Sequence, residues 1–190
     1  MDTATVQLFA GLLALLTIAG VVVAVVARAA ATRSAFARQI DEMIAAAGLW
    51  LAFVVTAGAT AGSLYFSEVA GYLPCQLCWY QRIAMYPLAV ITLIAALRRD
   101  RSVIWYAMPL ASIGAGIAAW HYLIEWRPGL DGGSCASVGP SCVDVWFREF
   151  GFITLAFMAL VAFVATIVFV WIAASGPRAD RAEIAIEQNV

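Results

Sequence analysis

Apolar residues dominate the chain in five runs, each near the length that spans a bilayer core of about 30 Å. The first covers residues 6–27, and a polar stretch at 28–42 follows it. The second run is 43–66, with a short connection at 67–73. The third begins at a cysteine motif and ends near residue 97, before a tight basic turn at 98–102. The fourth is 103–123. One long polar connection, 125–150, separates it from the fifth run at 151–173. A polar tail, 175–190, closes the chain and is expected to be a frayed end or a short exposed helix. The pattern predicts an all-α polytopic membrane protein.

Details within the runs refine that picture. Residue 2 is Asp and no Lys or Arg precedes the first run, so it reads as an uncleaved span; a cleaved leader is the alternative. The 28–42 segment places Phe36 and Ile40 one helical turn apart among charges. It reads either as a loop with a short interfacial helix or as a solvated linker. Gly58 and Gly62 in the second run have the spacing that brings helices close in lipid, although glycine is common in such helices anyway. Pro87 is expected to kink the third run. Ser112, Ala115 and Ala119 form a small-residue face on the fourth. The aromatic-rich stretch 143–150 reads as a short helix lying in the interface, and Trp79, Tyr80, Trp105, Tyr106, Trp120, Tyr122, Trp126 and Trp146 fall near span ends as an aromatic belt.

Composition strengthens the class. Of 190 residues, 64% are hydrophobic and 12% charged, against about a quarter charged in soluble domains. Mean hydropathy is +0.91. A net charge of −1 without a basic stripe gives no sign of a nucleic-acid partner. All eleven basic residues are arginine. Arg28, Arg33, Arg38, Arg98, Arg99, Arg101, Arg178 and Arg181 fall on one side of a five-span topology; Arg82, Arg127 and Arg148 fall on the other. Basic residues stay cytoplasmic, so the second side faces out, into the compartment where disulfides persist.

That outer side carries all four cysteines, as the pairs Cys75/Cys78 and Cys135/Cys142. The first stands in Pro74-Cys75-Gln76-Leu77-Cys78-Trp79-Tyr80-Gln81-Arg82. Pro74 marks a helix start, and Cys75, Cys78 and Arg82 share one helical face with the positive end of the helix dipole. These surroundings favour thiolate over thiol. A Cys-x-x-Cys pair suits rapid opening and closing of a disulfide. A static bridge over so short a loop stabilises little, and zinc calls for a second pair of matched spacing, which Cys135-x6-Cys142 is not. No metal is expected. Arg82, one turn inside the boundary, either holds a thiolate or ligand oxygen or snorkels to headgroups. His121, the chain's only histidine, sits at the outer end of the fourth run. It reads as a donor to the same ligand or as a polar anchor. Glu125, a turn further on, either orients His121 or is solvated. Cys135 and Cys142 lie in a Gly-rich loop suited to a mobile relay disulfide, with a loop staple as the alternative.

The motif Cys75-Gln-Leu-Cys78-Trp-Tyr-Gln-Arg82 behind Pro74 resembles the disulfide bond formation protein B (DsbB) family, and the close second pair looks more like its BdbC-type members in Gram-positive bacteria. The resemblance covers about residues 43–173. It implies a four-helix bundle at 43–174 with redox loops at 67–78 and 125–150; the N-terminal helix and cytoplasmic loop, 1–42, and the cytoplasmic polar tail, 175–190, read from run length and arginine placement, lie outside that family core. It implies a cell-membrane oxidase that reoxidises a thioredoxin-like disulfide donor of the DsbA/BdbD type on the outer side and passes electrons to ubiquinone or menaquinone. By that resemblance Cys78 stands next to the quinone, Arg82 polarises it, and His121 lies near it. Cys75 forms the transient inter-loop disulfide with Cys142, and Cys135 is attacked by the partner. The short Cys135–Cys142 spacing departs from the Gram-negative pattern. Two rivals remain: a vitamin K epoxide reductase-like protein running electrons the other way, and a non-enzymatic bundle stapled by disulfides.

Overall fold

The computed structural model describes residues 2–131 and 140–176. Five helices carry the fold: α1 (Thr3–Ala30), α2 (Ala35–Leu64), α3 (Gln76–Arg98), α4 (Ile104–Trp126) and α5 (Leu155–Ser175). Each is long and apolar enough to cross a membrane. Among the described residues the one strand-like contact is an isolated bridge between Glu149 and Ile153. The all-α membrane architecture follows.

Side-chain direction fits a lipid surround. Leu16, Val26, Ile83 and Trp105 point outward and are exposed, as expected where the solvent is hydrocarbon. The interior is built from small residues and a few large ones. Ala107, Ala111, Gly114 and Ala118 form the buried stripe of α4. That stripe lies one position away from the expected Ser112, Ala115, Ala119 face. The reason is Phe163 of α5: a Cβ on Gly114 would overlap its ring, so α4 turns its glycine toward that ring. α5 is the central helix, packed on α1, α2 and α4. Between α2 and α3 the buried hydroxyls of Thr56 and Thr92 meet at 2.9 Å, each also bonded to a carbonyl of its own helix.

Several boundaries differ from expectation. The 28–42 segment is neither a loop nor a separate interfacial helix. Ser34 caps α2 by accepting from Ala37 N, and nothing in Ala35–Glu42 breaks a helix. α2 therefore starts well before residue 43 and leaves a connection of a few residues. Arg28 holds that corner, donating to Asp41 Oδ2 at 2.8 Å and to Ser175 Oγ at 2.8 Å. At its other end α2 continues through a π-turn, Tyr65–Val69, shortening the connection to α3. The 143–150 stretch is not a helix. It is mostly irregular, and two of its rings rest on other aromatics: Trp146 stacks on Tyr72 at 4.7 Å and Phe147 lies 5.4 Å from Phe66. α5 begins at Leu155, capped by the Thr154 hydroxyl. The tail beyond Gly176 lies outside the described residues.

Successive helices alternate in direction, so the heads of α1, α3 and α5 and the tail of α4 share one end. Contacts across that end agree: Gln7 Nε2 donates to the Tyr72 hydroxyl at 2.6 Å, and Arg148 donates to the Glu125 carbonyl at 3.0 Å.

A dithiol between two cavities

The cysteine motif opens α3. Gly71, with φ +73°, turns the chain, and Pro74 precedes the cap instead of forming the first helical residue. Cys75 is the N-cap: its extended backbone turns Sγ to accept from Cys78 N at 3.2 Å. Cap geometry thus folds the first cysteine back over the second, with the two Sγ atoms 2.7 Å apart. Both are free thiols.

Cys75 Sγ also meets His121 Nε2 at 3.7 Å. His121 is buried between α3 and α4. Its Nε2 lies 3.1 Å from the Cys142 carbonyl and its Nδ1 lies 3.0 Å from the Gln81 amide nitrogen. A carbonyl accepts and an amide nitrogen donates, so this network is satisfied by the neutral tautomer with the proton on Nε2. In that form His121 donates toward Cys142 O and Cys75 Sγ. The sulfur of Cys75 therefore faces the Cys78 thiol, the His121 N–H and the Cys78 backbone N–H. These hold its pKa at about 5 against the opposing effect of burial, with the hydrogen bond from the Cys78 thiol the largest contribution.

Glu125 is buried, not solvated. Its Oε2 accepts from the Thr154 hydroxyl at 2.6 Å and its Oε1 lies 4.0 Å from His121 Nε2. Cys142 is fully buried and disulfide-bonded, in one small cluster with Cys75 and Ile124. The second expected pair thus has one member beside the first; Cys135 lies outside the described residues. Cys75, Cys78 and His121 bring their ligand atoms within 4.8 Å of one another. Sequence spacing conceals this group, because the histidine comes from another helix.

Two cavities flank the dithiol. The smaller, about 20 Å³, is lined by Cys75, Cys78, His121, Glu125 and residues of the loop before α5, among them Pro140, Ser141 and Asp144. The larger, about 350 Å³, opens on the other side of Cys78. Its walls are mostly apolar residues of α1, α2, α3 and α5, and its polar lining includes Gln81 and Arg82, one turn along α3 from Cys78, with Ser63 and Tyr86 hydrogen-bonded beside Arg82. Arg82 donates through Nε to Ser63 Oγ and through Nη2 to the Ser63 carbonyl, each at 3.0 Å, while its guanidinium lies 5.3 Å from the Trp79 ring. These contacts hold the side chain against α2. His121 lines the smaller cavity, not the larger. A Cβ added at Gly58 or Gly62 would meet nothing within 4 Å, and both glycines border the larger cavity; their smallness leaves space instead of joining helices. Ser63 and Gln81 escape a reading of the sequence, since a lone serine or glutamine carries no distinguishing signal there.

Comparison with known proteins accords with this arrangement. The family model described as "Disulfide bond formation protein DsbB" matches residues 45–173. The chain is 46% identical over 121 residues to disulfide bond formation protein C of Bacillus subtilis, covering 64% of this chain and 88% of that protein. It is 42% identical over 106 residues to probable disulfide formation protein C 1 of Bacillus anthracis, covering 56% and 76%. A probable disulfide formation protein of Coxiella burnetii is 39% identical over 124 residues, covering 65% and 84%. No solved structure matches the chain. With five spans, a capped Cys-x-x-Cys and a matched core from α2 to α5, this is a multi-pass membrane oxidoreductase of disulfide formation, and it belongs to the DsbB family.

Proposed function

We propose that the protein oxidises a thioredoxin-like dithiol partner of the DsbA/BdbD type outside the cytoplasmic membrane and delivers the electrons to a membrane quinone, ubiquinone or menaquinone. The observation that carries this is the position of Cys78, which borders both cavities. On one side stand Cys75 and Cys142; on the other stands an apolar cavity of about 350 Å³ with Arg82 near the thiol. That volume falls in the range of sites for small organic ligands, about 300–1,000 Å³. An apolar chamber with one cation and a few hydrogen-bonding groups beside a thiol suits a lipid-soluble ring bearing carbonyl oxygens.

The bound quinone supplies the final acceptor for two electrons and two protons. The chain's own residues do the rest. Cys142 has no exposed surface, so a partner thiolate attacks Cys135, and Cys142 leaves as the thiolate. Cys142 attacks Cys75 of the Cys75–Cys78 disulfide, forming the Cys75–Cys142 bond and releasing Cys78 beside the larger cavity. The partner's second thiol closes its own disulfide and reduces Cys135. Cys135 then re-forms its bond with Cys142, and Cys75 leaves into its cradle of donors. Two electrons now reside on Cys75, held as a thiolate, and on Cys78, and the partner has gained one disulfide. His121 N–H steadies Cys75 as it departs, and Arg82, held by Ser63, presents a fixed cation next to Cys78.

The arginine-rich end of the bundle, at Arg28, Arg98, Arg99 and Arg101, would face the cytoplasm. The test is anaerobic. Reduced protein mixed with decylubiquinone should reduce one quinone for each pair of thiols lost, and Cys78→Ser should abolish it. Quinone reduction retained in Cys78→Ser would refute the route. Reduction of the partner by quinol, without the reverse reaction, would favour the epoxide reductase-like direction.

A further inference from the structure

We propose that α1, the helix outside the family-matched core, is a working wall of the quinone site, and that the size of residue 14 governs access of a prenylated quinone. This rests on the function proposed above and says which additional segment of the chain the ligand touches. Ala10, Leu13, Ala14 and Thr17 line the larger cavity. They sit at i, i+3, i+4 and i+7, one face of a helix. The matched core begins at residue 45, so the core alone leaves this cavity open to lipid along the groove between α2 and α5, where α1 packs.

Both ends of α1 are fastened in ways that keep that face in place. At the inner end Arg28 binds Asp41 of α2 and Ser175 of α5, each at 2.8 Å. At the outer end Gln7 donates to the Tyr72 hydroxyl at 2.6 Å. Tyr72 stacks on Trp146 at 4.7 Å, and both rings line the same cavity. α1 thus closes one side of the chamber and tethers the aromatic cover at its outer end. Ala14 is 7% exposed and faces the chamber, whereas Leu16 is 68% exposed on the lipid side. A phenyl ring placed at these two positions should have different consequences.

The experiment compares Ala14→Phe with Leu16→Phe in the full chain. Decylubiquinone binding is read by quenching of tryptophan fluorescence, and quinone reduction is split into kcat and KM. Ala14→Phe should weaken binding by about tenfold or more and raise KM while kcat changes little. Leu16→Phe should stay within about twofold of the unmodified protein. Exchange of the Cys75–Cys78 couple with dithiothreitol, which needs no quinone, should be unaffected in both. An azidoquinone photolabel on the unmodified protein gives a second readout, independent of folding in any variant: the adduct should map to the peptide carrying residues 10–17. If the unmodified protein binds and reduces quinone but Ala14→Phe binds as well as it does, or the label avoids α1, the wall assignment alone falls. If the unmodified protein neither binds nor reduces quinone, the proposed function falls and the assignment with it. Where Ala14→Phe fails to accumulate, the label decides.

Discussion

His121 Nε2 stands 3.7 Å from Cys75 Sγ and 3.1 Å from the Cys142 carbonyl. One imidazole N–H therefore serves the first cysteine of the motif and the backbone of the loop cysteine that would exchange with it. The consequence is a leaving group prepared in advance. Thiol exchange runs faster when the departing sulfur has a low pKa, and Cys75 is held at about 5.

Cys75 should therefore alkylate as a thiolate well below neutral pH. In reduced protein, its mass-resolved reaction with iodoacetamide should rise with pH through a midpoint of about 5, where an ordinary thiol rises at about 8.5. Because His121 lowers that value, His121→Ala should move the midpoint upward by about one pH unit. A midpoint unchanged in His121→Ala would show that the histidine does not act on the sulfur.

Arg82 and Ser63 form the second testable pair. Two hydrogen bonds of 3.0 Å join them. Arg82→Lys keeps the charge but loses the planar fork that grips both the Ser63 hydroxyl and carbonyl. Losing a hydrogen bond to a charged group costs about 1.5–3 kcal/mol. KM for quinone should therefore rise by about tenfold or more in Arg82→Lys, and by less in Ser63→Ala, where the carbonyl contact survives. Dithiothreitol exchange at Cys75–Cys78 should not follow either change, which separates this effect from general loss of fold.

Much of this arrangement is legible in the amino-acid sequence. Five spans and the thiol pair at the head of α3 follow from run length and one short motif. What escapes is whatever depends on contact between distant segments. Glu125 is buried because Thr154, a residue at the head of another helix, satisfies it. The 143–150 stretch fails to become a helix because Tyr72 and Phe66 offer its rings a better surface. Gly58 and Gly62 have the spacing of a helix contact, yet they border a cavity. Spacing fixes which residues share a face but not what the face meets.

The close approach at Gly114 gives a stability prediction. Gly114→Ala would drive a Cβ into the Phe163 ring, a side chain with no exposed surface. Overpacking of this kind costs about 1–3 kcal/mol, so thermal unfolding in detergent should shift down measurably. Phe163→Leu in the same chain should recover part of the loss. A neutral Gly114→Ala would place α4 in a different rotation about its axis.

At the opposite end, Arg28 and Asp41 form an ion pair at 2.8 Å, with the Asp41 side chain only 6% exposed and the Arg28 side chain 26%. Removing one partner of a buried pair strands the other charge, which costs more than removing both. Arg28→Ala should therefore destabilise the protein more than Arg28→Ala combined with Asp41→Asn. The same substitution releases the bond from Arg28 to Ser175, which fastens the tail of α1 to the tail of α5. Limited proteolysis should then cut the 31–34 connection faster in Arg28→Ala than in the unmodified chain. Adding Asp41→Asn to Arg28→Ala should recover stability in the melt but not the protection of that connection, because the shorter amide cannot replace the arginine's reach to Ser175. Equal recovery of both would mean that the ion pair alone holds α1 in place.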